Sequence, residues 1–241
     1  MVSKKTAAQA SKTAKVVKKK AVSLKTQENA ARRAVIATAL AMSQSGLSPG
    51  RSGNVSRRWK NGMLITPSGM PYDTLKASDI VFVASDGSVR ANARKPSSEW
   101  RFHLAAYVAR PDRHAVVHTH SHNATVLACR HEPILPFHYM VAVAGDRKIP
   151  CVPYAAFGTE ELAEYVAEGL AQTNACLMAN HGQIAIGATL ESALELAQEV
   201  ETLAAQYVQV LLLGKPELLS DAQMDDVLQR FQSYGQNAQT A

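Results

Sequence analysis

Two histidines one residue apart, His118 and His120, close an apolar run, Ala115-Val116-Val117. Such a run reads as a short buried strand, and side chains two apart on a strand share a face. Both imidazoles can therefore reach one point in space. A third histidine stands in Asn180-His181-Gly182, a tight turn between apolar runs, where a polar ring needs a reason to be. A carboxylate, Glu99, follows two serines in Lys95-Pro96-Ser97-Ser98-Glu99. Three histidines and a glutamate are a donor set for a divalent metal, and this mixture favours zinc. A His-x-His pair also occurs as hydrogen-bonded core groups, so His181 and Glu99 are what tip the reading toward a metal. His103, one helical turn beyond Glu99, reads as a pairing partner for it. His114, His131 and His138 show no partner pattern. His122 continues the alternation but falls where a helix-like stretch begins, so it stays outside the metal set.

Several small-residue loops accompany these donors: Gly53-Asn54, Pro67-Ser68-Gly69 and Pro96-Ser97-Ser98. Glycines and serines allow close backbone approach, and a helix start offers unpaired N–H groups, a combination suited to a phosphate. No Walker-type or dinucleotide-type glycine motif occurs, and no Gly-x-Ser-x-Gly elbow.

The elements that must carry these residues alternate between helix and strand. Helices are predicted from about Thr26 to Ser45, after Ser97–Ser98, from Asn123 to Cys129, from Glu160 to Leu170, from Thr189 to Leu213 and from Ser220 to Phe231. The helix after Ser98 is expected to present Trp100, Leu104, Tyr107 and Val108 on one face. Strands are predicted at 63–66, 80–84, 115–120, 175–178 and 183–186, with Asp86-Gly87 as a hairpin turn and two short extended pieces between Pro133 and Pro153. Gly50 to Ser56 reads as a Gly/Ser loop. The stripe along 190–211 is core or subunit contact. Interleaved strands and helices, with hairpins as well as crossovers, indicate one α/β domain with a mixed sheet.

Charge is unevenly distributed. Residues 1–25 hold eight lysines and no acid; taking those eight from the 26 basic residues leaves 18 against 20 acidic ones. The body is thus not basic, which argues against a nucleic-acid-binding domain. The lysine-rich segment lacks large apolar residues and is expected to be a disordered tail. The main domain is expected over 26–235, with a short tail at 236–241. Three cysteines, Cys129, Cys151 and Cys176, form no Cys-x-x-Cys pair and imply free thiols in a reducing compartment. With no apolar run of membrane-spanning length and no signal-like start, a cytoplasmic location without a membrane span is expected.

Taken in order, Gly53-Asn54-Val55-Ser56, Ile65-Thr66-Pro67-Ser68-Gly69, Lys95-Pro96-Ser97-Ser98-Glu99, His118-Thr119-His120, Tyr154-Ala155-Ala156-Phe157-Gly158-Thr159 and Asn180-His181-Gly182 resemble the class II aldolase/adducin family. His138-Tyr139-Met140 and Phe231-Gln232-Ser233-Tyr234-Gly235 bring the likeness closer to its ketose 1-phosphate aldolases. The resemblance spans about residues 26–235. It implies a three-layer α/β/α sandwich with a mixed, mostly antiparallel central sheet, and a homotetramer with active sites between subunits. It implies one Zn²⁺ per subunit on His118, His120 and His181, with Glu99 at the metal at rest and acting as acid/base in turnover. Gly53, Asn54, Ser68, Gly69, Ser97 and Ser98 match phosphate and substrate contacts. Tyr139 matches a second acid/base supplied by a neighbouring subunit, and Phe157 and Tyr234 match residues lining the aldehyde side.

The activity so implied is reversible cleavage of a ketose 1-phosphate, L-fuculose 1-phosphate on the closer match, to dihydroxyacetone phosphate and L-lactaldehyde. The resemblance also admits a sugar-phosphate 4-epimerase, another lyase, or a non-catalytic adducin-like module. Ser97-Ser98-Glu99 favours the aldolase, because the epimerases carry Asp at the glutamate position. His122-Asn123 departs from the family's frequent Pro-Tyr and bears on pocket shape.

Overall fold

In a computed structural model, residues 23–232 are described, which leaves most of the lysine-rich segment, the 236–241 tail and Tyr234 outside. The first helix, α1 (Leu24–Gln44), starts two residues before the predicted point because Ser23 caps it, its Oγ accepting from the Thr26 N–H.

Seven strands follow: β1 (Asn54–Trp59), β2 (Gly62–Ile65), β3 (Val81–Ala84), β4 (Ala115–Thr119), β5 (Cys151–Val152), β6 (Ala175–Met178) and β7 (Gly182–Gly187). They form one sheet in the order β3-β2-β1-β4-β7-β6-β5. All neighbours are antiparallel except β5 and β6. The expected mixed, mostly antiparallel sheet is therefore present. β1 overturns the loop expected over Gly50–Ser56. Its inward positions, Asn54 and Ser56, are polar, so the apolar alternation that announces a strand is missing.

Among the described residues five more helices follow, α2 (Trp100–Ala109), α3 (His122–Cys129), α4 (Glu160–Gly169), α5 (Leu190–Leu213) and α6 (Asp221–Gln232), of which the first four pack on the sheet and α6 packs on residues 139–144. One core joins Ala31, Val35 and Ala39 of α1, Leu127 of α3 and Val200 and Tyr207 of α5 to Val55, Leu64 and Val117 of the sheet. The other joins Phe102 and Ala106 of α2 and Leu162 and Val166 of α4 to Ile65, Val116 and Ile184. Strand residues alternate between these cores, as the pleat requires, so the architecture is a three-layer α/β/α sandwich.

Some predicted details change. The buried face of α2 is Phe102, His103, Ala106 and Tyr107, whereas Val108 is exposed. Polar pairing of His103 with β1 turns the helix away from the orientation that hydrophobicity alone suggests. The Asp86-Gly87 hairpin carries only an isolated bridge, Val83 to Val89. Between Pro133 and Pro153 lie an Ile134–Ile149 bridge and β5, as expected, but also an unpredicted 3-10 helix, Tyr139–Ala144. Among the described residues, no helix is long and apolar enough to cross a membrane.

Candidate metal centre

β4 lies at the middle of the sheet and ends at Thr119. His118 pairs with Asn54 on one side and Ile184 on the other, so its ring rises from the α2 face. His120 continues just past the strand end. His181 comes from the turn between β6 and β7. Asn180 holds a left-handed backbone there (φ 55°), its Oδ1 2.5 Å from His131 Nε2, which supplies the partner that His131 lacked in the sequence. Gly182 is needed because a Cβ there would lie 2.4 Å from the Thr119 carbonyl oxygen and 3.0 Å from His120 Cδ2. A side chain would push the two histidine-bearing segments apart.

The three imidazoles form a near-equilateral triangle, with every pair of ring centroids 4.9 Å apart and ring planes inclined by 70–76°. Their nitrogens meet Glu99, the residue just before α2. Glu99 Oε1 lies 2.8 Å from His181 Nε2, Glu99 Oε2 lies 3.3 Å from His118 Nε2, and the Nε2 atoms of His118 and His120 are 3.1 Å apart. All four donor atoms fall within 4.8 Å of one another. Four bonds of metal–nitrogen length in a tetrahedron set neighbouring ligand atoms about 3.4 Å apart, so the cluster has the size of a coordination shell. His118 Nδ1 donates to the Gln183 carbonyl at 2.7 Å, which fixes the ring with Nε2 aimed at the cluster.

The electrostatics fit the same use. Burial, with the charges of His118 and His181 beside it, pushes His120 down to about 4, so it is a neutral ligand at neutral pH. Burial alone would raise the Glu99 carboxyl; the charge on His118 and bonds from His118 and His181 outweigh it and hold the carboxyl far below the usual range. Asn54 Nδ2 adds a donated bond to Glu99 Oε2 at 2.7 Å. His103 does not touch Glu99 as expected; it reaches Asn54 instead.

A cavity of about 470 Å³ opens beside these donors. Its wall includes Glu99, His120 and His181 together with Gly53, Asn54, Ser68, Gly69, Ser97, Ser98 and Phe157, all singled out in the sequence. Backbone bonds knit the loops: Ser97 N–H donates to the Thr66 carbonyl at 3.0 Å and Ser68 N–H to the Lys95 carbonyl at 3.0 Å. Gly53 is confined because a Cβ would stand 2.7 Å from the His118 carbonyl oxygen. Arg51 and Ser52, not singled out from the sequence, also line the wall, beside Tyr154 and Asn180 of the quoted motifs. A cation inside a glycine loop was the available signal for Arg51. Tyr139 lies half exposed on the 3-10 helix and away from this wall, and Tyr234 lies outside the described residues. His122 lines a separate surface depression with His120 and is not in the donor cluster.

Residues 33–208 match the family model described as "Class II Aldolase and Adducin N-terminal domain". The chain belongs to the class II aldolase and adducin family. A Haemophilus influenzae L-fuculose phosphate aldolase is 50% identical over 202 residues, covering 83% of this chain and 93% of that protein. A Rhodospirillum rubrum 5-methylthioribulose-1-phosphate/5-deoxyribulose-1-phosphate aldolase is 49% identical over 210 residues, covering 87% of this chain and 95% of the relative. Among solved structures, an L-fuculose 1-phosphate aldolase superposes with a TM-score of 0.81 at 37% identity, covering 84% of this chain and 96% of that one. The chain is thus a class II, metal-dependent aldolase, and the glutamate–histidine cluster is where a metal can be held.

Proposed function

We propose that this aldolase uses one Zn²⁺ per subunit to cleave L-fuculose 1-phosphate, reversibly, to dihydroxyacetone phosphate and L-lactaldehyde. The observation that carries the reading is the convergence of Glu99, His118, His120 and His181 on the edge of a cavity whose other wall bears small-residue loops and Arg51. These four residues would hold a zinc ion, and when bound it would supply Lewis-acid stabilisation of the negative charge that develops when a carbon–carbon bond beside a ketone breaks. Ser68, Gly69, Ser97 and Ser98, with Gly53, Asn54 and Arg51, bind the phosphate, and that remote binding orients the reacting carbons. Glu99 takes and returns the proton at the enediolate carbon. Tyr139 of a neighbouring copy moves the carbinol proton, which fits its exposed place outside its own cavity. Phe157 and Tyr234 line the aldehyde side. This arrangement calls for a homotetramer with shared sites, acting in the cytoplasm.

A second reading has its own support. The Rhodospirillum rubrum relative matches as well as the Haemophilus one and is named for 5-methylthioribulose-1-phosphate and 5-deoxyribulose-1-phosphate. Substrates of both kinds are ketose 1-phosphates and differ in the aldehyde released. A panel of the three, assayed for dihydroxyacetone phosphate with and without chelator, tests both readings. L-fuculose 1-phosphate is expected to give the highest kcat/KM, with activity lost on chelation and restored by zinc. Preference for the methylthio or deoxy sugar overturns the first reading in favour of the second. Epimerisation without cleavage overturns both.

A further inference from the structure

Five buried polar residues form one continuous hydrogen-bonded line that ends on Glu99. Asn54 Nδ2 is 2.7 Å from Glu99 Oε2, and His103 Nε2 is 2.6 Å from Asn54 Oδ1. Ser56 Oγ is 2.7 Å from His103 Nδ1 and 2.9 Å from Tyr107 Oη. His103 and Ser56 are completely buried, and Asn54, Glu99 and Tyr107 nearly so. Strand β1 supplies positions 54 and 56; Glu99 and α2 supply positions 99, 103 and 107. A period of two on the strand thus meets a period of four on the helix.

The direction of each bond follows from chemistry. A carboxylate only accepts, so Asn54 presents its NH₂ to Glu99 and its carbonyl to His103. The His103 proton must then sit on Nε2. Burial and the nearby His118 charge push His103 down to about 3, so the ring is neutral and Nδ1 is bare. Ser56 therefore donates to Nδ1 and accepts from Tyr107. Every hydrogen in the line points toward Glu99. Phe102 stacks on the His103 ring at 5.0 Å and 18°, fixing its plane.

We propose that His103 is a positioning residue, which locks the Asn54 amide with its NH₂ toward Glu99 and so holds Glu99 Oε2 while Oε1 faces His181. A flipped amide would set its carbonyl against the carboxylate and its NH₂ against the His103 N–H, breaking two buried bonds at once. The role rests on Glu99 acting in the aldolase reaction; the tautomer that underlies it does not.

Two measurements separate those parts. Nitrogen NMR of the histidine-labelled, metal-free chain at neutral pH is expected to show His103 protonated on Nε2 alone. A proton on Nδ1 overturns the proposal whatever the substrate proves to be. In zinc-loaded enzyme, His103→Asn keeps an acceptor for Ser56 but is too short for Asn54. It is expected to lower kcat roughly 10–100-fold with KM and bound zinc nearly unchanged, and His103→Gln, which reaches Asn54, to recover most of that loss. An unchanged kcat in His103→Asn, or a loss confined to KM or zinc content, overturns the role. Should His103→Asn not fold, Ser56→Ala keeps the ring and its Asn54 bond; an Nε2 proton with kcat retained, or an Nδ1 proton with kcat lowered, supports the role, and an Nδ1 proton with full kcat, or an Nε2 proton with lowered kcat, overturns it. Absence of cleavage on any ketose 1-phosphate defeats the proposed function, while the NMR result still judges the network.

Discussion

The two faces of the central sheet are made from the same strands and do different work. Toward α1 and α5, β1, β2 and β4 point Val55, Leu64, Ala115 and Val117 into an apolar core. Toward α2, β1 and β4 point Asn54, Ser56 and His118, all buried. A buried polar group is costly unless paired, and here each has a partner on α2, at Glu99 or in a neighbouring strand. The α2 face also carries an apolar core that includes Ile65, Val116 and Ile184, so both faces hold the sheet and the α2 face in addition aims donors from the same backbone. The contrast teaches that donors at the metal centre are aimed from strands packed against apolar cores on both sides.

The strongest break of this division is at Glu99. Glu99→Gln keeps the size of the side chain but cannot shuttle the proton, so kcat is expected to fall roughly 10²–10⁴-fold, measured with bound zinc counted per subunit. Zinc retained with full activity would remove Glu99 from the chemistry. On the other face, Leu64→Ala should lower unfolding stability by about 2–5 kcal/mol in denaturant titrations. The zinc-loaded folded fraction should turn over near the parent rate. A large kcat loss at full folding would mean the faces are not separable.

Acid should act on the α2 face first. His103 has a pKa pushed down to about 3 and His120 to about 4, both by burial first. Between those values and about 6.5 the unfolded chain binds protons that the folded, metal-free chain does not, so stability falls as pH drops. Buried His103 contributes a slope of about 1.4 kcal/mol per pH unit, and His103→Gln should remove it, as read from melts between pH 6.5 and 4.5. An unchanged slope would show that the ring is not held neutral. The smallest effect is expected at the cavity's exposed edge. There the Arg51 guanidinium donates to the Gly69 carbonyl at 2.8 Å. Arg51→Ala should raise KM for a ketose 1-phosphate about tenfold with little change in kcat, since one charge-assisted bond is lost. No KM change would free Arg51 from phosphate binding.

The site was legible where its signal is local. His118 and His120 share a face through the strand period, and Ser97-Ser98-Glu99 marks a helix start. Helix α5 and strands β6 and β7 follow from apolar pattern with boundaries within one residue. β1 was not legible, because Asn54 and Ser56 occupy positions where a half-buried strand ordinarily shows apolar residues. The buried face of α2 was misjudged for the same reason: His103 and Glu99 point inward for partners that lie about fifty residues away in the chain. Tyr139 sits in a 3-10 helix whose short length leaves no periodicity to read.

The sequence by itself determined the donor types, the His-x-His aim, the ordered loops and the family they mark, because each depends on short-range backbone geometry or on residue identity. Only the tertiary structure decided that His181 closes the triangle and that Asn54 and His103 stand behind Glu99. Those contacts depend on the β1–β4–β7 register and on the rotation of α2, which arise from packing between distant segments and leave no local pattern in the chain.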